Sequence, residues 1–405
     1  MKNQYVKLFE IRKILGVSSA AMVARLAMAM LPLSITLMLL DKNSSPNVAG
    51  SAVAFFFMGV GISFPILSVI SQKTSIKWAF SLSTLACVAV GLFVLRMVTD
   101  VDRAVSPQAF LLLGLSVAPV GPSMRALWSE QTNDSQLLHT ASSFEATLTE
   151  FLFIVGPFLA SLIAIFYSSQ MTFEVALGLL VSGTLIFGLV RPVDMPLVRI
   201  DNSGNANILT PELIRILISI GLTSSMSTSL VLALTFGLEN FGGENYTGFY
   251  LGLHSFTSVV GGVFFGLMTR DYDFMRTYKV ILMVLICGFF GLPLSLLFES
   301  VATMGVQVVL ITWAVMLTAL GLFIAPMCTV EFQIVASLNR TNTTKVAFAY
   351  VGSSIFFGAA FGAWVVGQVA VLDSLLLILS IPAAFAILAL MVAIVPLQSS
   401  REIIR

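Results

Sequence analysis

The octapeptide LGLSVAPV (Leu113–Val120) returns as LGLFIAPM (Leu320–Met327). Five of the eight positions are identical, at an offset of 207 residues. A weaker echo joins Gly61-x-x-Phe64 to Gly262-x-x-Phe265 at an offset of 201. Both octapeptides sit inside long apolar runs. A helix that crosses a bilayer needs about 20 apolar residues. Twelve such stretches lie near 14–40, 48–70, 78–98, 107–128, 142–167, 172–190, 212–236, 246–268, 277–298, 302–327, 344–369 and 374–396. The octapeptides fall in the fourth and the tenth, the same place in each set of six. The longest polar connection, RPVDMPLVRIDNSGNANILTPE (Arg191–Glu212), separates the two sets. The expected organisation is therefore a six-helix bundle over 1–190, a linker over 191–211 and a second six-helix bundle over 212–405. A parallel duplication of six spans is the pattern of transporters whose halves rock about a central site. The expected fold class is an all-α membrane protein of twelve transmembrane helices in two halves.

Composition agrees. Of 405 residues, 58% are apolar and 10% charged, against about 25% charged in soluble domains. A net charge of +1 gives no electrostatic footprint for nucleic acid. Cys87, Cys287 and Cys328 are far apart, and the two histidines, His139 and His254, form no cluster. Zinc, redox and triad chemistry all need clusters, so no metal and no cofactor is expected. There is no Gly-x-x-x-x-Gly-Lys loop for direct ATP drive. The basic N-terminus runs into an apolar stretch too long for a signal-peptide core, and it reads as a retained first span.

Orientation follows from lysine and arginine in the loops. With the N-terminus in the cytoplasm, 17 of the 21 basic residues fall inside or at inner helix ends, and Lys42, Arg96 and Arg103 fall outside. Arg25 lies within a span. The expected location is the cell (inner) membrane, with both termini cytoplasmic.

These features resemble the major facilitator superfamily along nearly the whole chain. ARLAMAMLPLSITLMLL (Ala24–Leu40) is similar to the first helix of many bacterial members, especially actinobacterial drug-efflux-like ones. GGVFFGLMTR (Gly261–Arg270) resembles the end of their eighth helix, and Gly321–Gly367 their tenth and eleventh. Gly156-Pro157 resembles the end of an antiporter signature, although position 152 is Leu and no Gly-Gly follows. The loop between the second and third spans keeps Lys73 and Lys77 but lacks the family's acidic residue. The resemblance implies a monomeric secondary transporter that moves a small organic solute by alternating access, with proton-coupled export as the first reading. Proton-coupled nutrient uptake stands beside it. A non-transporting sensor or scaffold is a different class. A membrane-embedded enzyme would need reactive clusters and large loops, and neither is present.

Charges inside spans cost roughly 2.5–3.5 kcal/mol on insertion scales and persist where a cavity or partner receives them. At about 1.5 Å per residue, Arg25 lies about 18 Å into the first span and Glu150 about 14 Å into the fifth. Glu145 and Arg125 lie nearer the inner face. The resembled fold makes spans one and five neighbours. Two pairs are expected: Arg25 with Glu150 near the midplane, and Arg125 with Glu145 as an inner-face pair or gate. For the first pair three roles stand: a proton-coupling carboxylate, a permanent pair that holds two helices in register, or a direct substrate contact. Glu331 is expected just after span ten, as an inner-face gate partner of Arg340 or Lys345. His254, in span eight, either lines the cavity or packs with a satisfied hydrogen bond.

Overall fold

The computed structural model describes residues 12–42, 44–100, 105–131, 135–190, 210–267, 273–296, 305–338 and 344–394. Among the described residues all regular structure is helical. The helices are α1 (Arg12–Asp41), α2 (Pro46–Lys73), α3 (Ile76–Thr99), a short α4 (Ala109–Leu115), α5 (Val120–Gln131), α6 (Ser135–Phe166), α7 (Ser169–Val190), α8 (Pro211–Glu239), α9 (Thr247–Leu267), α10 (Phe274–Ser295), α11 (Gly305–Gly321), α12 (Ile324–Leu338), α13 (Thr344–Ala370) and α14 (Leu375–Ile394). Ten stretches among them are long and apolar enough to cross a membrane. Of the twelve expected spans, the fourth and fifth appear as the shorter apolar stretches Ala109–Met124 and Phe151–Phe166.

The chain divides into two compact units, Met1–Asp201 with Asn245–Gly252, and Asn202–Glu244 with Leu253–Arg405. In the first unit α1 is the inner helix. Its apolar window is 72% buried, and that of α8, the first helix of the second unit, is 67% buried, whereas the other windows reach 28–50%. Small residues put α1 there. A Cβ on Gly183 of α7 would collide with the backbone of Ala24, and one on Gly156 of α6 would collide with Ala29. Without side chains at the crossing, helix backbones approach closely and gain dispersion contacts along their length. Val17, Ala20, Ala21 and Ala24 then pack into one apolar cluster with Phe80 of α3 and Phe187 of α7, whose rings stack at 5.5 Å.

In the second unit α8 plays the matching part against α13. A Cβ on Gly358 would strike the carbonyl of Gly221, and one on Gly362 would strike that of Ser225. Ser224 and Ser225 donate across this seam to the carbonyls of Ile355 and Gly358, each at 2.7 Å.

The repeated octapeptides turn out to be helix breaks. Leu113–Val120 spans the gap between α4 and α5, and Leu320–Met327 spans the gap between α11 and α12. Proline is the local cause. Pro119 stands directly before α5, and Pro326 stands in the first turn of α12, where a missing N–H costs nothing. A break in a membrane helix must be re-satisfied by neighbours. Ser63 of α2 donates to the carbonyl of Val117 at 2.9 Å, and Ser83 of α3 donates to that of Ser116. At the second break the N–H of Ala325 donates to Ser258 of α9 at 3.1 Å. Glycines bring the neighbours close enough: Gly59 and Gly114 meet backbone to backbone at the first break, and Gly261 lies against the carbonyl of Leu322 at the second.

Candidate functional site

In the first unit the candidate is Arg25. It sits mid-way along α1, partly buried, and its guanidinium donates to Thr149 Oγ1 of α6. On its other side α5 passes close by, so that a Cβ on Gly121 would stand 4.0 Å from Arg25 Nε. The residue it reaches is the immediate neighbour of Glu150. The structure thus brings Arg25 to α6 at Thr149. The side chains of Glu150, Glu145 and Arg125 lie outside the described residues, so neither expected ion pair is described.

In the second unit the candidate is Glu331, and its position differs from the expectation. Helix α12 continues to Leu338, so Glu331 lies inside a helix and not after its end. The residue is 3% exposed. Its partners are hydroxyls: Thr223 of α8 donates to Oε1 at 2.8 Å, and Tyr278 of α10 donates to the same oxygen at 3.0 Å. The Tyr278 hydroxyl also meets Ser219 Oγ of α8 at 2.8 Å, and Ser219 reaches the carbonyl of Ala389 in α14 at 3.3 Å. Two helices, α8 and α10, therefore donate to one carboxylate on α12, and Ser219 ties the same network to α14. The expected partners, Arg340 and Lys345, have side chains outside the described residues. The physical reason for the shift is that the expected span ends at residue 327, where the strongly apolar run ends, whereas the helix goes on to Leu338 because its carboxylate finds donors.

His254 is 9% exposed, and its Nδ1 lies 3.0 Å from the carbonyl of Leu317. That contact satisfies one ring nitrogen. Its own carbonyl is covered by Gly321, where any Cβ would collide, so His254 marks the close crossing of α9 with α11. Sequence reasoning did not single out Thr223, Tyr278 or Ser219. One signal for Thr223 was present: TSSMSTS (Thr223–Ser229) puts six hydroxyl residues in seven positions of an apolar span. Tyr278 and Ser219 carried none.

Among the described residues no three His, Cys, Asp or Glu side chains converge in a way that could hold a metal ion.

The sequence profile of the Major Facilitator Superfamily matches residues 17–330. The chain belongs to the major facilitator superfamily. No curated protein sequence matches it. Among solved structures, it is similar to a point mutant of the nucleoside transporter NupG, with a TM-score of 0.67, 13% identity and coverage of 94% of this chain and 98% of that one. It is similar to a bacterial homologue of the iron transporter ferroportin in an inward-facing state, with a TM-score of 0.66, 18% identity and coverage of 95% and 98%. It is similar also to an auto-inhibited peptide transporter of the POT family, with a TM-score of 0.65, 12% identity and coverage of 94% and 96%. Identities this low carry the fold and not the cargo. Superfamily membership brings the coarse function with it, secondary transport of a small solute across a membrane. None of these three neighbours is a drug-efflux protein by its description.

Proposed function

We propose that this superfamily member is a proton-coupled exporter of a small organic solute, working by alternating access between six-helix halves over 1–190 and 212–405, with both termini in the cytoplasm of its host. The observation that carries the coupling is Arg25. A guanidinium held midway along the innermost helix, one residue from Glu150 on the partner helix, is a costly feature that transport chemistry can use. In this reading Glu150 exchanges a proton as its distance from Arg25 changes through the cycle. The solute is small and carries little charge, because few charged side chains lie within spans. Nucleosides, iron and peptides are the named cargoes of the structural neighbours. The described residues hold no metal-binding cluster that would favour the second of these.

The test is transport by the purified protein in proteoliposomes, against a panel of lipophilic dyes, nucleosides and short peptides, with and without a pH gradient. An imposed gradient should accelerate movement of at least one compound. Glu150→Gln should lose that acceleration while folding normally. Flux in Glu150→Gln that still follows the pH gradient removes Glu150 from the mechanism, and no gradient response from the native chain removes proton coupling altogether.

A further inference from the structure

We propose that Glu331 is a second proton-carrying site, fed through a relay of two hydroxyls, Tyr278 and Ser219, from a small cleft beside Glu212 and Arg215. The proposal deepens the proton-coupled reading above and rests on it.

The geometry is continuous. Ser219 lines a small cleft at the start of α8, together with Glu212, Arg215, Met275 and Leu338. The lysine and arginine bias assigns that end of the helix to the cytoplasm. From Glu212 to Ser219 the helix rises about 10 Å, and from Ser219 to Thr223 about 6 Å more. Glu331, held at the level of Thr223, is thus roughly halfway through a hydrocarbon core about 30 Å thick. Two oxygen-to-oxygen steps, 2.8 Å from Ser219 to Tyr278 and 3.0 Å from Tyr278 to Glu331, link the cleft to the carboxylate.

The choice of partners is the informative part. Beside Glu331, the groups able to titrate are Tyr278 from α10 and, near Tyr278, Cys328 on α12 itself. Helix α8 presents the Thr223 hydroxyl, with Glu212 and Arg215 back at the cleft. Helices α11, α13 and α14 bring no charged side chain to Glu331 among the described residues. A lysine or arginine partner could only donate and would hold the carboxylate in one state. A hydroxyl both donates and accepts. With Glu331 ionised, Oε1 receives two hydrogen bonds. With Glu331 protonated, its own O–H finds a lone pair on Thr223 or Tyr278 once those hydroxyls rotate. The shell serves both states without moving a helix.

The transfer balances. A hydronium ion in the cleft passes its extra proton to Ser219 Oγ and is left as water, while the original Ser219 proton forms a new O–H bond on Tyr278. The Tyr278 O–H breaks as a new O–H forms on Glu331 Oε1. Each hydroxyl ends as it began, the carboxylate has become a carboxylic acid, and no electron is transferred. The reverse sequence releases the proton.

Infrared difference spectroscopy on the full chain in lipid nanodiscs tests this without any solute or gradient. Lowering the pH should produce a carboxylic-acid carbonyl band that is missing in Glu331→Gln. Tyr278→Phe should keep the band but slow its appearance after a pH jump by roughly tenfold or more, with Ser219→Ala slowed as well. A merely structural tyrosine would leave that rate unchanged. The inference is overturned if no band is lost in Glu331→Gln, if Tyr278→Phe protonates at the native rate, or if sodium added at fixed pH removes the band. A titrating Glu331 in a protein that moves no panel compound would sink the export reading alone. A transporting protein with a silent Glu331 would sink this one alone.

Discussion

Arg25 of α1 and Thr149 of α6 are joined by a hydrogen bond from guanidinium to hydroxyl. The contact crosses 124 residues of sequence, and it sets a cation beside the one stretch of α6 that carries Glu150. Thr149→Val keeps the shape of the side chain and removes the acceptor. It should destabilise the protein by about 1–3 kcal/mol, the usual cost of leaving a charged donor short of a partner. A thermal melt in one fixed detergent reads this. An unchanged midpoint would mean that Arg25 is held by its other contacts, and that Thr149 is incidental.

The two helix breaks depend on glycines with no room for a Cβ. Gly114→Ala would push a methyl into the carbonyl of Phe56, and Gly321→Ala would push one into that of His254. Each should cost about 1–3 kcal/mol, the range for overpacking, and each should reduce the folded yield on size exclusion. Gly178, in α7, has nothing within 4 Å of its missing Cβ. Gly178→Ala should therefore stabilise the helix by roughly 0.5–1 kcal/mol. If all three variants behave alike, the close crossings are not what the glycines are for.

Trp313 is fully buried in α11, and its indole N–H donates to Ser295 at the end of α10 at 2.9 Å. Trp313→Phe removes the donor and leaves a void. The Ser295 hydroxyl keeps its bond to the carbonyl of Leu292, so the loss, about 1–3 kcal/mol, comes from the missing hydrogen bond and the void. Ser295→Ala strands the indole instead, without opening a large cavity, so its drop in melting midpoint should be the smaller of the two. The reverse order would mean that packing around the indole ring counts for little.

Orientation can be read in cells. A fluorescent-protein fusion after Ile394 should glow, and an alkaline-phosphatase fusion there should be inactive, because that end is assigned to the cytoplasm. Fusions after Asp100 should give the opposite pair. An active phosphatase after Ile394 would invert the topology.

What could be seen in the sequence, and what could not, divides along physical lines. Helices are local, and their apolar length announces them, so the long spans were legible. The repeat at Leu113–Val120 and Leu320–Met327 was legible too, but its meaning was not. Both stretches read as parts of continuous spans. A break becomes tolerable only when Ser63, Ser83 and Ser258 supply the lost hydrogen bonds, and those residues lie on other helices. Arg25 could be placed by counting along α1. Glu331 could not, because a search for partners looks for opposite charge. Its donors, Thr223 and Tyr278, are neutral and stand 108 and 53 residues away. Neutral hydroxyls at that separation leave no trace in a charge pattern.

The close seating of α1 has a mechanical consequence for its arginine. With Ala24 pressed on Gly183 and Ala29 on Gly156, the helix is a fixed post, and the guanidinium is a charge on a short tether. One elementary charge carried through the whole membrane field is worth about 2.3 kcal/mol per 100 mV. A tether of side-chain length samples only a fraction of that field. The membrane voltage therefore has little leverage on Arg25 itself, and a voltage dependence of transport would have to come from charges that travel further, such as those of the solute.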